Sequence, residues 1–160
     1  MADSETPALD LTAAHKYFAA HCFNSAWDYM DKSQRTAVED EQMLALAMAS
    51  HWHWTQREDY SPVNASISYW QLSRVFVLLG QVENARHYAQ RSLDVLPDDE
   101  ALPFYRGYAY EALARAAALA QDRPAMEAAL SQAKQFAEII TKEKNRAALL
   151  ADLEAVSNKQ

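Results

Sequence analysis

The sequence predicts an all-α fold: three antiparallel helical hairpins stacked side by side and closed by a capping helix, about seven helices in all. Three observations lead there. Of the 160 residues only two are Gly (Gly80 and Gly107) and five are Pro, and the prolines fall near expected helix ends, whereas a β-rich chain of this length needs many more turn residues. Apolar residues recur at helical spacing along most of the chain. The stretch 66–97, SISYWQLSRVFVLLGQVENARHYAQRSLDVLP, places Ile67, Trp70, Val77 and Leu78 on one face of its first helix. Tyr69, Leu72, Ser73, Phe76 and Leu79 lie on an adjoining face. A helix with two apolar faces needs a neighbour on each.

Each element has its own punctuation. Thr6-Pro7 reads as a cap and first-turn proline, followed by Leu9, Leu11, Phe18, Phe23, Trp27 and Met30 along a helix to about residue 31. Thr36 and Glu39 match a capping box that opens a second helix, to about 56, through Met43, Leu44, Leu46, Met48, Trp52 and Trp54. Ser61-Pro62 opens the third helix and Gly80 ends it, where a left-handed residue is usually needed. The fourth, about 82–96, buries Ala85, Tyr88, Ala89, Ser92, Leu93 and Leu96, and Pro97-Asp-Asp-Glu100 stops it. A fifth runs over about 102–120 and a sixth over 124–140. The last, 142–157, sets Leu149, Leu150, Leu153 and Val156 against a polar face, as the end of a stack requires.

Composition narrows the function classes. At this length the chain is expected to form a single domain, 1–160. The formal charge of -7 with scattered Lys and Arg argues against nucleic acid, whose non-specific binding depends on clustered cations releasing counterions. Cys22 is the only cysteine, so no intrachain disulfide can form. The opening residues carry no apolar leader, and no run approaches the ~20 apolar residues of a membrane helix. A cytoplasmic protein with no membrane partner is expected.

Laid on itself, the chain shows an internal repeat. Tyr69, Leu72, Ser73, Phe76, Gly80, Ala85, Ala89, Ser92 and Pro97 resemble the tetratricopeptide pattern: an aromatic, Leu and a small residue, a second aromatic, a turn glycine, small residues on the second helix, and a proline about 34 residues after the start. Small residues let two helices approach closely, and large ones fill the gaps to the next hairpin. A shift of about 34 residues puts Gly107 on Ser73 and Tyr110 on Phe76. The next turn then comes at Gln121-Asp122, about seven residues late, a delay that a lengthened fifth helix would absorb almost in phase. Ala129, Ala133 and Phe136 follow as the small, small and larger residues. A shift back of about 49 puts Ala20, Phe23, Asn24 and Trp27 on Tyr69, Leu72, Ser73 and Phe76. The best match is thus 66–97, the second 100–138, and the first hairpin, 7–56, is degenerate.

The resemblance implies a concave groove lined by the first helix of each hairpin. On that register the lining is His21, Ser25 and Asp28, then Trp70, Arg74 and Val77, then Phe104, Tyr108 and Glu111. The result is an aromatic band with one cation between two acids. Arg74 could bind a carboxylate through two donors, with Trp70 shielding it; alternatively it pairs with Asp28 or Glu111 and the aromatics are packing.

The catalytic motifs are missing. The sequence has no glycine-rich phosphate loop, nucleophile elbow or helical His-x-x-x-His. In the run His51-Trp-His-Trp54, residues two apart point about 200° away from each other, so His51 and His53 cannot chelate one ion. Cys22 beside His21 diverges by about 100° and reads as a buried thiol. His87 is expected to be exposed. With antiparallel first and second helices, however, His15 lies level with His53 and Cys22 with Leu46, and the two histidines could share a site with Tyr60 or a carboxylate. The leading expectation is a non-catalytic module, without cofactor or metal, whose groove takes a peptide or protein segment or a small effector. The alternatives are a small-ligand or metal pocket at the first hairpin (His15, Cys22, His53, Trp54), or a homodimer contact through the fifth helix or the Trp-rich second helix.

Overall fold

The computed structural model describes residues 9–98 and 102–158. They form seven α-helices and no strand: α1 (Leu11–Met30), α2 (Ala37–Thr55), α3 (Pro62–Leu78), α4 (Val82–Asp94), α5 (Pro103–Leu119), α6 (Arg123–Ile139) and α7 (Glu143–Ser157). Consecutive helices pack as the antiparallel pairs α1/α2, α3/α4 and α5/α6. Contacts α2/α3, α3/α5 and α4/α5 join the pairs, and α7 lies on α5 and α6. None of the described helices is long and apolar enough to cross a membrane.

Local sequence explains most boundaries. Thr36 and Glu39 form the capping box of α2, and Ser61 with Asn64 forms another at α3, ahead of Pro62. The cap of α1 is Asp10, which accepts from Ala13 N; the expected cap Thr6-Pro7 lies outside the described residues, as do Asp99 and Glu100 of the stop after α4. Gly80 ends α3 with φ 69°. The amides of Gly80 and Gln81 return to Val77 O and Phe76 O, the paired bonds that satisfy the last carbonyls of a helix.

The repeat register differs from the expected one. Helices α3 and α5 are both 17 residues long and lie 41 residues apart, Pro62 to Pro103 and Leu78 to Leu119. Gly107 therefore occupies the place of Ser66, and Tyr110 that of Tyr69. The extra residues sit in the connection between α4 and α5, so α5 is not lengthened. A helix that must pack against α3 along its whole length gains nothing by outgrowing it.

Three linked clusters form the core. Ala26, Met30, Met43, Ala47, Leu72 and Val75 join the first hairpin to α3. Phe76, Ala85 and Ala116 join α3, α4 and α5. Ala129, Leu130, Ala133, Leu149, Leu153 and Val156 bind α6 to α7. Buried serines mark close helix crossings. Ser66 Oγ donates to Ser92 O (2.8 Å) and Ser92 Oγ to Ser66 O (2.9 Å), Ser73 Oγ donates to Ala85 O (2.9 Å), and Ser50 Oγ to Ala19 O (2.8 Å). Each hydroxyl takes a neighbouring helix's carbonyl, so these small polar side chains are buried without an unmet hydrogen bond. Tyr88 and Leu93 are only half-buried, and Leu78 and Leu150 are exposed at the margins of their helices.

Candidate functional site

The facing sides of α3 and α5 carry a chain of charges. Glu111, fully buried on α5, accepts from Trp70 Nε1 (2.9 Å) through Oε2, while its Oε1 pairs with Arg115 Nε one turn along and receives Arg74 Nη1 from α3 at 3.5 Å. Asp152 on α7 accepts from Tyr108 OH (3.0 Å) and Arg115 Nη2 (3.4 Å) and lies 3.8 Å from Arg74 Nη1. Two arginines and two carboxylates thus balance in a largely dry setting, where each carboxylate needs its donors to offset desolvation.

The donors are shared unequally. Arg115 takes the near contact to Glu111 and a second to Asp152, Trp70 takes the other oxygen of Glu111, and Tyr108 takes the other oxygen of Asp152. Arg74 is left with one long contact to each acid. Its guanidinium stands over the rings of Trp27 (5.6 Å) and Trp70 (5.4 Å) with the side chain 20% exposed. Burial holds Arg74 below the usual arginine value even though Glu111 and Asp152 pull the other way. Burial first, and then Asp152, pushes the Tyr108 phenol far up, so it stays a neutral donor.

Aromatic residues flank this network. A cavity of about 330 Å³ lies between α3, α4 and α5, walled by Ile67, Trp70, Phe104, Tyr105 and Tyr108, with Ser66 and Ser92 behind. Toward the other ends of α3 and α5, a smaller cavity of about 200 Å³ is lined by Val77, Arg115, Ala118, Leu119 and Val156. Trp70 and Tyr108 meet edge to face at 5.4 Å, so the wall of the larger cavity is also the edge of the charge network.

Of the expected groove residues, the structure brings together Trp70, Arg74, Tyr108 and Glu111, with Phe104 against Tyr108 (5.0 Å). Val77 lies further along α3, in the smaller cavity. From α1 the residue that meets this set is Trp27, 5.9 Å from Trp70. His21 is exposed and stacks on Tyr17 (5.2 Å), Asp28 is exposed and Ser25 half-buried. Arg74 pairs with Glu111. Three members were not anticipated. Arg115 had a signal, its position one turn after Glu111 and one 41-residue repeat after Arg74, hidden by the shorter register. Trp27 falls among the apolar residues of its helix, which read as packing, and Asp152 lies outside the stripe of Leu149, Leu153 and Val156 that marks α7 in the sequence.

At the first hairpin, His51 and His53 face apart as their spacing demands. His51 lies against Tyr69 (4.8 Å) and has a buried Nδ1 without a hydrogen bond. His53 meets His15, Nδ1 to Nδ1 at 2.9 Å. Cys22 is buried, and burial raises its thiol. His87 is exposed, against Tyr88. Among the described residues no group of three His, Cys, Asp or Glu is placed to hold a metal ion.

Comparison with known protein families finds no matching family model, and comparisons with curated proteins and with solved structures find no match either.

Proposed function

We propose that the chain is a non-catalytic binding module that presents the face between α3 and α5 to a peptide or protein segment, in the manner of the tetratricopeptide repeats its second hairpin resembles. The observation that carries this reading is Arg74. It is a largely buried cation, standing over two indoles, whose neighbouring carboxylates are already engaged by closer donors. A guanidinium in that state gains from an external acceptor. The adjoining aromatic cavity has the size of a pocket for one bulky apolar group. An acidic residue next to an apolar one would satisfy both.

The non-catalytic part of the reading draws on Cys22 and Glu111. The one thiol is buried and held in its protonated form, and three of the four acceptor sites of Glu111 are taken by Trp70, Arg74 and Arg115.

The test is selection of peptides from a displayed library on the folded chain, followed by titration of the winners into Arg74→Gln and Trp70→Phe, with circular dichroism checking that both variants fold. The expected result is enrichment of segments with an acidic and a bulky apolar residue, and a loss of at least tenfold in affinity in Arg74→Gln. Winners that bind both variants as tightly as the parent would overturn the reading.

A further inference from the structure

The contact between His15 and His53 lies on the first hairpin, at the end of the stack opposite α7, and plays no part in the function proposed above. The two Nδ1 atoms stand 2.9 Å apart, with ring centroids at 5.0 Å. This is a head-on hydrogen bond between rings, in which one imidazole donates from its Nδ1–H and the other accepts at its Nδ1 lone pair. It ties the second turn of α1 to the last turn of α2 and so closes the open end of the hairpin.

Such a bond limits the charge that the pair can carry. With both rings neutral, the donor holds its proton on Nδ1 and the acceptor holds its own on Nε2. A first added proton goes to the donor's free Nε2. The donor becomes an imidazolium and the bond persists, now charge-assisted. A second proton finds only the acceptor's Nδ1 lone pair, which the bond occupies. Once that nitrogen is protonated, two N–H groups and two positive charges face each other and the rings must part.

The neighbours do not relieve that repulsion. Phe18 stacks on His53 at 5.3 Å, and Trp52 meets His15 at 5.2 Å and His53 at 4.9 Å, so the surrounding rings are uncharged. Among the described residues no carboxylate pairs with either imidazole. On α1, Asp10 is spent on the cap, Lys16 is itself a cation, and His21 stacks on Tyr17. On α2, His51 is turned to Tyr69. In the connection to α3, Arg57 and Asp59 bind each other at 2.8 and 2.6 Å, Glu58 lines a cavity with Thr12 and Lys16, and Tyr60 interacts with Tyr69 and Arg91. Helix α3, which packs on α2, carries Arg74 as its one charged residue, and that side chain is engaged with Glu111 and Asp152. Burial, and then His15, hold His53 below the usual imidazole range.

We propose that the two histidines form an acid-sensitive latch on the first hairpin, closed while they share at most one positive charge and open when both are charged. Opening frees the first turns of α1 from the last turn of α2. The folded chain therefore takes up the second proton at a lower pH than the unfolded chain does. Below the ordinary imidazole value of about 6.5, the unfolded state binds more protons, so stability falls with falling pH until the folded pair is doubly charged as well.

The test is nuclear magnetic resonance of the full chain with isotope-labelled histidine, followed over pH, beside chemical denaturation at each pH. The two rings should gain their protons in two steps at least about one pH unit apart, and amide exchange at the start of α1 should quicken across the second step. In His15→Gln and in His53→Gln the remaining ring should titrate in a single step, above the second step of the pair. The unfolding equilibrium constant should rise on acidification by up to about tenfold per pH unit more in the parent than in either variant. His51, whose charge is disfavoured by burial and then by Arg91, is present in all three chains and cancels from that difference. His21→Gln should behave as the parent, with circular dichroism confirming that each variant folds. Overlapping titrations of the two rings in the parent, or an acid dependence of stability that neither His15→Gln nor His53→Gln reduces, would overturn the latch.

Discussion

The hairpins α3/α4 and α5/α6 share one backbone plan and solve it with different residues. Both open on a proline, both first helices span 17 residues, and both turns close on the same paired hydrogen bonds, Gly80 and Gln81 to Val77 O and Phe76 O, Gln121 and Asp122 to Ala118 O and Ala117 O. Position by position, Ser66 answers to Gly107, Ser92 to Ala133, Gly80 to Gln121, Trp70 to Glu111 and Arg74 to Arg115. The last two pairs are the instructive ones. One repeat carries the indole donor and the next carries the carboxylate that accepts from it, so the equivalent positions are complementary rather than alike. The two arginines also differ in their surroundings. Arg115 is covered by α7 and bound to both acids, while Arg74 is partly exposed with its contacts stretched.

That contrast makes the largest prediction. Arg115→Ala strands Glu111 without its nearest cation in a buried place and should cost about 3–5 kcal/mol, measured by chemical denaturation. Arg74→Ala removes a partner held only by long contacts, 3.5 Å to Glu111 and 3.8 Å to Asp152, and should cost clearly less. Equal losses would erase the distinction between a structural and an available arginine.

A second test exchanges a residue between repeats. Gly107→Ser installs the residue that stands at 66, but a Cβ at 107 runs into Leu149 Cδ2. Leu149 is fully buried, so either its side chain leaves its rotamer or α7 shifts. Overpacking of this kind should cost about 1–3 kcal/mol, read as a drop in thermal midpoint. An unchanged midpoint would mean that α7 is held less tightly against α5 than the packing indicates.

The two turns offer a pair of opposite sign. Gly80 and Gln121 both have positive φ, 69° and 57°, a region that penalises any side chain by about 1 kcal/mol. Gly80→Ala should destabilise by about 1 kcal/mol and Gln121→Gly should stabilise by up to that amount, both by denaturant midpoint. The smallest effect concerns caps. Asp122 accepts from Ala125 N at the start of α6, whereas Gln81 makes no side-chain cap for α4. Gln81→Asp should add about 0.5 kcal/mol, and no gain at all would show that the start of α4 is set by packing alone.

How far the sequence could be read depended on the range of the interaction involved. The capping box at Thr36/Glu39, the cap and first-turn proline at Ser61-Pro62 and the left-handed Gly80 were legible because each rests on a few adjacent residues, whereas the return of Asn64 to Ser61 came only from the structure. The turn at Gln121-Asp122 was legible without a glycine to mark it, but its left-handed Gln121 was not. The meeting of His15 with His53 followed from the antiparallel first hairpin alone. The repeat length was misjudged, because side-chain sizes recur at several shifts and only the packing of α3 against α5 selects one. Of the candidate groove, Trp70, Arg74, Tyr108 and Glu111 were found on adjacent first helices, whereas His21 and Asp28 rested on the irregular first hairpin, where the size pattern was too weak to set a register.

Helix periodicity, caps and turn residues thus determined an all-α stack of hairpins from sequence alone, because each depends on backbone and side-chain forces acting within a turn or two. The tertiary structure alone decided the 41-residue repeat, the covering of α5 by α7, and the unequal sharing of Glu111 and Asp152 between two arginines. Those depend on which side chains come within hydrogen-bond distance after helices far apart in sequence have packed, and a difference of an ångström there separates an arginine with close contacts from one with stretched ones.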